Sequence, residues 1–190
     1  IDKFNGVLVA RGDLGVEESL AKVPVLQKNI IDKCTKAKKP VIVATQILDS
    51  MIKNPTPTRA EVNDVANAVY DGVDAVMLSE ETAAGEYPIE SVSIMSDIIK
   101  DVENSIQVKI DGIDRVKNDN RIAIGHSVRL ITQSMDIDGI VVMSESGATA
   151  RIVSHFRPNV TIYGMSPHAY ICNRMALLWG VVPVQTKSFI

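Results

Sequence analysis

The 190-residue chain has an ordinary globular composition, with 46% hydrophobic residues and a formal net charge of −3. Without a basic surplus, and with few aromatic side chains to stack on bases, it is not expected to bind nucleic acid. Its longest apolar runs are too short to span a bilayer, so no membrane association is expected. Cys34 and Cys172 lack the spacing of metal ligands or of a disulfide framework, which favours two buried thiols in a reducing compartment, the cytoplasm.

The first element is a short apolar run over residues 7–10, typical of a strand buried on both faces of a parallel sheet. The run stops at Arg11, Gly12 and Asp13, and Gly12 allows a sharp turn there. Asp13 is therefore expected at the carboxyl end of a strand, where α/β proteins keep their ligand sites. From this stretch alone Asp13 is either a metal ligand or a helix cap, and capping is the commoner role. An integrin-binding Arg-Gly-Asp motif is not favoured, because that motif needs an exposed loop.

Two further strand–helix units follow, and their strands end in polar residues at Thr45 and Ser79. The apolar pattern predicts strands over 41–44 and 73–78, and helices over 23–39, 47–53, from Thr58 to the Asp71-Gly72 pair, and 88–106. Thr58 and Glu61 have the spacing of a capping box. Asp13 and Thr45 are 32 residues apart, and Thr45 and Ser79 are 34 apart. This spacing is close to the about 31 residues per unit of a (β/α)₈ barrel of about 250 residues. We therefore expect part of a barrel with its polar strand ends at one mouth.

The apolar pattern is lost over residues 107–120, which predicts a linker between a first domain, 1–106, and a second domain, 121–190. The second domain is predicted to be an open α/β sheet with shorter units. Its predicted strands are 139–143, 160–165 and 181–184, and its predicted helices are 121–135, one ending at Arg157, and 167–179.

A turn rich in hydroxyl groups joins a strand to a helix in this second domain. Its candidate ligands are Ser144, Ser146, Gly147 and Thr149. Hydroxyls, a glycine and free helix amides suit a phosphate group, but capping of the helix by Ser144 or Ser146 explains the same residues equally well. Glu145 argues against phosphate, because its charge has the wrong sign.

Several of these stretches together resemble the pyruvate kinase family. They are VARGDLGVE (9–17), PVIVATQ (40–46), PTRAE with VANAVYDG (57–72), and LSEETA with Tyr87-Pro88 (78–88). The resemblance implies an α/β fold: the last three units of a (β/α)₈ TIM barrel, then most of an open α/β C-terminal regulatory domain. It also implies an enzyme of glycolysis that transfers phosphate from phosphoenolpyruvate to ADP, giving pyruvate and ATP, with Mg²⁺ (or Mn²⁺) and K⁺ as cofactors.

The resemblance assigns roles to individual residues. Asp13 would ligate Mg²⁺, the amides of Gly12 and Asp13 would hold the substrate carboxylate, and Thr45 would contact the substrate and help deliver a proton to the enolate carbon. The turn containing Ser144, Ser146, Gly147 and Thr149 matches a loop that binds a phosphorylated effector. Glu145 replaces a lysine there, which argues against a response to fructose bisphosphate. The parent enzyme would be a cytoplasmic homotetramer.

The family's Lys-x-Glu strand, its nucleotide loops and its monovalent-ion loop lie upstream of these motifs and have no counterpart in the 190 residues. We therefore expect a piece of a longer polypeptide that is inactive by itself. Two alternatives remain open. One is a non-catalytic module that binds a phosphorylated effector or a partner, and the other is a partial barrel that assembles with a second chain carrying the missing strands.

Overall fold

The residues that the structure describes form two three-stranded parallel sheets, and in each sheet the strands lie side by side in chain order. The computed structural model describes Ile1, residues 3–106 and residues 120–188. The chain divides into two compact units, Ile1–Lys109 and Ile110–Ile190. The predicted linker over 107–120 lies outside the described residues except for Asn120, which already begins a helix.

The first unit repeats the order strand then helix. Its strands are β1 (Val7–Ala10), β2 (Val41–Ala44) and β3 (Ala75–Met77). Its helices are α1 (Arg11–Glu17), α2 (Val23–Lys36), α3 (Arg59–Tyr70), α4 (Glu80–Ala83) and α5 (Pro88–Ser105), with 3₁₀ turns at Leu20–Lys22 and Asp49–Ile52. The register pairs Ala10 with Ala44 and Ala44 with Met77, so the three strands end at the same edge of the sheet.

The core of the first unit lies on one face of this sheet. Val9, Val41 and Val43 point into it and pack with Ile31 and Val65 of the helices. Successive side chains of a strand point to opposite faces, and on the other face Leu8 is 45% exposed and Met77 is 37% exposed. The expectation that β1 is buried on both faces is therefore wrong, because the described helices of this unit cover only one face.

The second unit has the same parallel pattern on a smaller scale. Its strands are β4 (Ile140–Met143), β5 (Ile162–Ser166) and β6 (Val181–Gln185), and its helices are α6 (Asn120–Ser134), α7 (Ala148–His155) and α8 (Ala169–Met175). Val142, Ile162 and Val181 pack with Val153 and Met175 in its core.

The predicted elements are present, with differences at their ends. The segment over 47–53 is a 3₁₀ turn, Asp49–Ile52, rather than an α-helix, and α8 is shorter than the predicted 167–179. Cys34 and Cys172 are buried as predicted, and burial raises the pKa of the Cys34 thiol. No helix in the described part of the chain combines the length and apolar character needed to cross a membrane.

Candidate active site at the carboxyl edge of the first sheet

Arg11, Gly12 and Asp13 form the first turn of α1, directly after β1. The predicted sharp turn at Gly12 is absent, because Gly12 is helical and lies outside the left-handed region that favours glycine. The N-cap of α1 is Ala10, and no side chain caps the helix. Asp13 is the third helical residue, so the helix-cap interpretation is wrong. A Cβ added at Gly12 would lie 3.6 Å from Thr45 Oγ1, which is an ordinary van der Waals distance.

Thr45 comes directly after β2 and contacts Gly12. The Gly12 amide donates to Thr45 Oγ1 at 2.8 Å, and the Thr45 hydroxyl donates to the Ala44 carbonyl at 2.7 Å. Thr45 and Gln46 both have left-handed backbones, with φ of 67° and 54°. Gly12 and Thr45 are 33 residues apart in sequence. The predicted shared mouth is therefore present at least for the ends of the first two strands.

The Arg11 side chain connects three parts of this edge. Its Nε and Nη2 donate to the Thr45 carbonyl at 3.1 and 2.8 Å, and Nη2 also donates to the Gln46 carbonyl at 2.6 Å. Its Nη1 forms an ion pair with Asp64 of α3 at 2.5 Å. Only 10% of the Arg11 side chain is exposed. An Arg-Gly-Asp tripeptide held in this way is not presented on a loop.

Glu81 joins the ends of the second and third strands. The side chain is buried in the first unit, and its two oxygens accept from different amides: Oε1 from Leu48 at 3.1 Å and Oε2 from Ser79 at 2.8 Å. Two charged side chains therefore hold the turn after β2. Arg11 binds the carbonyls at its start, and Glu81 binds the amide of Leu48 at its end.

Asp13 is the one predicted metal ligand, and its surroundings fit that role in part. The side chain is exposed and makes no hydrogen bond or ion pair with another described residue, so its carboxylate is available. Mg²⁺ takes one or two protein carboxylates and keeps several waters. Within residues 3–106 and 120–188, no cluster of three or more His, Cys, Asp or Glu side chains is arranged to hold a metal. Asp13 is therefore a single available carboxylate, and a metal site that used it would need further ligands.

The hydroxyl-rich turn of the second unit lies between β4 and α7. The N-cap of α7 is Gly147, with φ of 75° and no side-chain cap, so the interpretation that Ser144 or Ser146 caps this helix is wrong. Ser144 is buried, Ser146 is exposed and Thr149 is partly buried. Glu145 contacts His168, with Oε2 2.9 Å from Nε2. The argument from the sequence that Glu145 disfavours phosphate did not include this contact with His168.

Several residues of the first site were not identified from the sequence. Arg11 and Glu81 belong to polar strand ends that the sequence marks, but nothing local indicates what they bind. Asp64 lies on α3, 53 residues from Arg11, and has no recognisable motif of its own. The left-handed backbone of Thr45 and Gln46 gives no sequence signal, since neither residue favours it.

Parallel strands with polar turns at one edge place the chain among the α/β proteins that bind ligands at the carboxyl ends of their strands. Comparison with known proteins gives the family. The family model "Pyruvate kinase, barrel domain" matches residues 1–92, and "Pyruvate kinase, alpha/beta domain" matches residues 122–189. The chain belongs to the pyruvate kinase family. The first compact unit corresponds to three strand–helix repeats of the barrel, and the second corresponds to part of the C-terminal α/β domain.

Individual relatives agree with this assignment. The chain is 41% identical to a pyruvate kinase of Clostridium acetobutylicum, and the alignment covers 100% of this chain and 41% of the relative. It is 48% identical to a pyruvate kinase of Staphylococcus saprophyticus, covering 97% of this chain and 32% of the relative. The crystal structure of a pyruvate kinase from Cryptosporidium parvum superposes with a TM-score of 0.89 at 37% identity, covering 98% of this chain and 39% of that one. The chain thus spans about two fifths or less of the length of these proteins.

Proposed function

We propose that this chain supplies one part of the active site of a glycolytic pyruvate kinase, which transfers phosphate from phosphoenolpyruvate to ADP and gives pyruvate and ATP. The observation that carries this proposal is the direct contact between Gly12 and Thr45, beside an exposed Asp13. This contact brings together the Arg11–Asp13 motif and Thr45, to which the family resemblance assigns substrate contacts. The parent enzyme is proposed to be a cytoplasmic homotetramer that uses Mg²⁺ (or Mn²⁺) and K⁺.

In this proposal Asp13 provides one carboxylate ligand for the divalent cation. A bound divalent cation would supply the positive charge that stabilises the enolate left after phosphoryl transfer. The amides of Gly12 and Asp13 bind the substrate carboxylate. Since the Gly12 amide donates to Thr45 Oγ1, the substrate carboxylate competes with the Thr45 hydroxyl for this donor. Substrate binding thereby frees the hydroxyl oxygen of Thr45 for its role at the enolate carbon.

Thr45 is proposed to help deliver a proton to the methylene carbon. Its hydroxyl hydrogen is directed at the Ala44 carbonyl, so the hydroxyl must rotate about its Cβ–Oγ bond to act on the substrate. A hydroxyl beside the reacting carbon serves as a proton relay rather than as a strong acid. We assign no residue of this chain to K⁺ or to the nucleotide.

The chain alone is proposed to be inactive. It offers Asp13 as a single metal ligand and no lysine placed at the transferring phosphoryl group, because the family's Lys-x-Glu strand and nucleotide loops are absent from its 190 residues. Catalysis of phosphoryl transfer depends almost entirely on positioning and charge stabilisation, and both are incomplete here.

A chimera tests this function. The aligned segment of the Clostridium acetobutylicum relative is replaced by this chain, and phosphoenolpyruvate-dependent ATP formation is measured for the chimera and for the chain alone. We expect activity in the chimera and none in the chain. Loss of a residue that only supports a metal ligand costs up to about 100-fold in activity. Because Asp13 is proposed to bind the metal directly, Asp13→Ala in the chimera should lower kcat by at least that factor.

The matched control for this substitution is Asp32→Ala, which removes an exposed carboxylate paired with Lys36 on α2. It should leave the activity of the chimera unchanged. Full activity of the Asp13→Ala chimera would contradict the proposal that Asp13 is a metal ligand. A folded but inactive parent chimera would contradict the proposed function.

A second candidate function is the binding of a phosphorylated effector by the second unit. It is favoured by the α7 N-terminus, where Gly147 leaves the first helical amides without a side-chain cap. Ser144, Ser146, Gly147 and Thr149 are the proposed contacts. Amide signals of residues 144–149 should shift when inorganic phosphate or fructose bisphosphate is added to the chain, and unchanged signals with both ligands would reject this site.

A further inference from the structure

Two adjacent residues at the end of β2 have a backbone conformation that their side chains disfavour. Thr45 and Gln46 lie in the left-handed region, with φ of 67° and 54°. This region is strained for residues other than glycine, and most of all for β-branched residues such as threonine. Strained conformations persist only where the surrounding structure enforces them, and they cluster at functional sites.

The side chain of Arg11 is placed to enforce this conformation. Its guanidinium donates to the carbonyl groups of both left-handed residues, with contacts of 2.8 to 3.1 Å to Thr45 and 2.6 Å to Gln46. The planar guanidinium offers several donors in a fixed arrangement, whereas a lysine ammonium is a flexible point charge. Arg11 can therefore hold two neighbouring carbonyls at once.

Asp64 in turn fixes Arg11. Its Oδ2 accepts from Arg11 Nη1 at 2.5 Å, while Arg11 is 10% exposed and Asp64 is 34% exposed. The attraction between opposite charges increases where water is excluded, and here water is excluded mainly from the Arg11 side of the pair. Asp64 thus lies at the solvent side of the pair and Arg11 at the inner side. This arrangement also neutralises a guanidinium that is otherwise surrounded by backbone carbonyls.

We propose that Asp64 and Arg11 are positioning residues that hold Thr45 and Gln46 in the left-handed conformation and thereby set the Thr45 hydroxyl on the Gly12 amide. For its catalytic consequence this inference rests on the proposed function of Thr45. Neither Arg11 nor Asp64 touches the substrate in this scheme. The backbone geometry at Thr45 depends on the pair whether or not the chain is part of an active enzyme.

The first test is spectroscopic and uses the 190-residue chain itself. Positive φ gives a short distance between the amide and Hα protons of one residue, so Thr45 and Gln46 should show strong intraresidue cross-peaks. We expect Asp64→Asn and Arg11→Lys to weaken these signals. Both should also accelerate hydrogen exchange at the Gly12 amide by at least about tenfold, the effect of losing bonds to a charged group.

Controls separate this local effect from unfolding. Asp32→Asn disrupts the exposed ion pair with Lys36 and should leave the Thr45 signals unchanged. The methyl signals of Ile31 and Ile162, one in each core, should be those of the wild type in every variant. If Arg11→Lys unfolds the chain, the two Asp64 variants, Asp64→Asn and Asp64→Glu, decide the outcome, because they change the more exposed partner.

The second test is kinetic and uses the chimera described above. Displacing a catalytic group by about 1 Å costs about 100-fold in rate, so Asp64→Asn should lower kcat by about that factor with a much smaller change in KM for phosphoenolpyruvate. Asp64→Glu keeps the carboxylate and should recover part of the loss.

Each outcome decides one claim. If the intraresidue cross-peaks of Thr45 and Gln46 are unchanged in Asp64→Asn and Arg11→Lys, the proposed role of the pair is overturned. Loss of these signals with an unchanged kcat in the chimera would overturn its link to catalysis. An inactive chimera with the wild-type sequence would contradict the proposed function, and the spectroscopic test would still decide whether the pair holds the turn.

Discussion

Glu81 is a charged residue in the interior of the first unit, with 2% of its surface exposed. A buried carboxylate is costly unless hydrogen bonds satisfy it. Here each oxygen accepts from a backbone amide, one of Leu48 and one of Ser79. These two amides belong to the turns that follow β2 and β3. These two hydrogen bonds therefore offset the desolvation cost of the buried carboxylate, and they fix the two polar turns relative to each other.

Replacing this carboxylate by an amide should destabilise the first unit. In Glu81→Gln one oxygen becomes an NH₂ group that faces a backbone N–H, which leaves a buried donor without an acceptor. We expect a loss of about 1–3 kcal/mol, measured by urea denaturation followed at the Ile31 methyl signals. The exposed neighbour Glu80 provides the control, and Glu80→Gln should change stability by no more than about 0.5 kcal/mol. Equal effects of the two substitutions would contradict the structural role of Glu81.

At the scale of single elements, the start of α3 shows how a local signal gains a tertiary partner. The predicted capping box is confirmed: the Thr58 hydroxyl accepts from the Glu61 amide, and Glu61 accepts from the Thr58 amide. Glu61 also accepts from the amide and the hydroxyl of Ser50 in the 3₁₀ turn after β2. One carboxylate thus begins a helix and anchors the preceding loop.

These bonds make the stability of the element depend on pH. Partial burial raises the pKa of Glu61, but hydrogen bonds from Ser50 and Thr58 outweigh it and hold the pKa below its ordinary value of 4.5. The folded state therefore binds fewer protons than the unfolded state near this pH. The stabilisation is fully present above pH 4.5 and is lost as the pH falls through the folded pKa.

Glu61→Gln tests this dependence. At pH 7 we expect a loss of about 1 kcal/mol, as for removal of an N-terminal cap. The difference from the wild type should shrink as the pH is lowered below 4.5 in urea denaturation experiments. Glu90→Gln, at an exposed position in the first turn of α5, is the control. A difference for Glu61→Gln that stays constant with pH would contradict the lowered pKa.

At the scale of the whole molecule, both sheets expose apolar side chains on the face away from their cores. Leu8 and Met77 are exposed in the first unit, and Val141, Met143 and Val182 in the second. Parallel sheets are usually covered on both faces. The family relatives are more than twice as long as this chain. Exposed apolar faces next to open strand edges favour association between chains.

We therefore expect the isolated chain to self-associate, with an average mass in sedimentation velocity that rises with concentration. Val141→Thr combined with Val182→Thr keeps the side-chain shape and the preference for strands, and it should lower this association. Val25→Thr changes an exposed valine of α2 and should have no comparable effect. A wild-type chain that stays monomeric at all concentrations would contradict the prediction.

The sequence by itself determined the order of the strands and of the longer helices, the capping box, the buried cysteines and the family. It did not predict the short helices α1 and α4. The predicted features depend on local periodicity, on short-range hydrogen bonds or on contiguous motifs, all of which are visible along the chain. The sequence also placed polar residues at the strand ends, since a parallel sheet brings such ends to one edge. It did not predict where the helices leave a sheet face open, because covering a face depends on distant segments.

Only the tertiary structure decided how the candidate site is held. The pairing of Arg11 with Asp64 joins residues 53 positions apart, and strand register and helix packing set such contacts rather than any local preference. The left-handed backbone at Thr45 and Gln46 opposes the intrinsic preference of both residues. Local rules therefore predict the wrong conformation at the very residues where hydrogen bonds from the rest of the fold outweigh them.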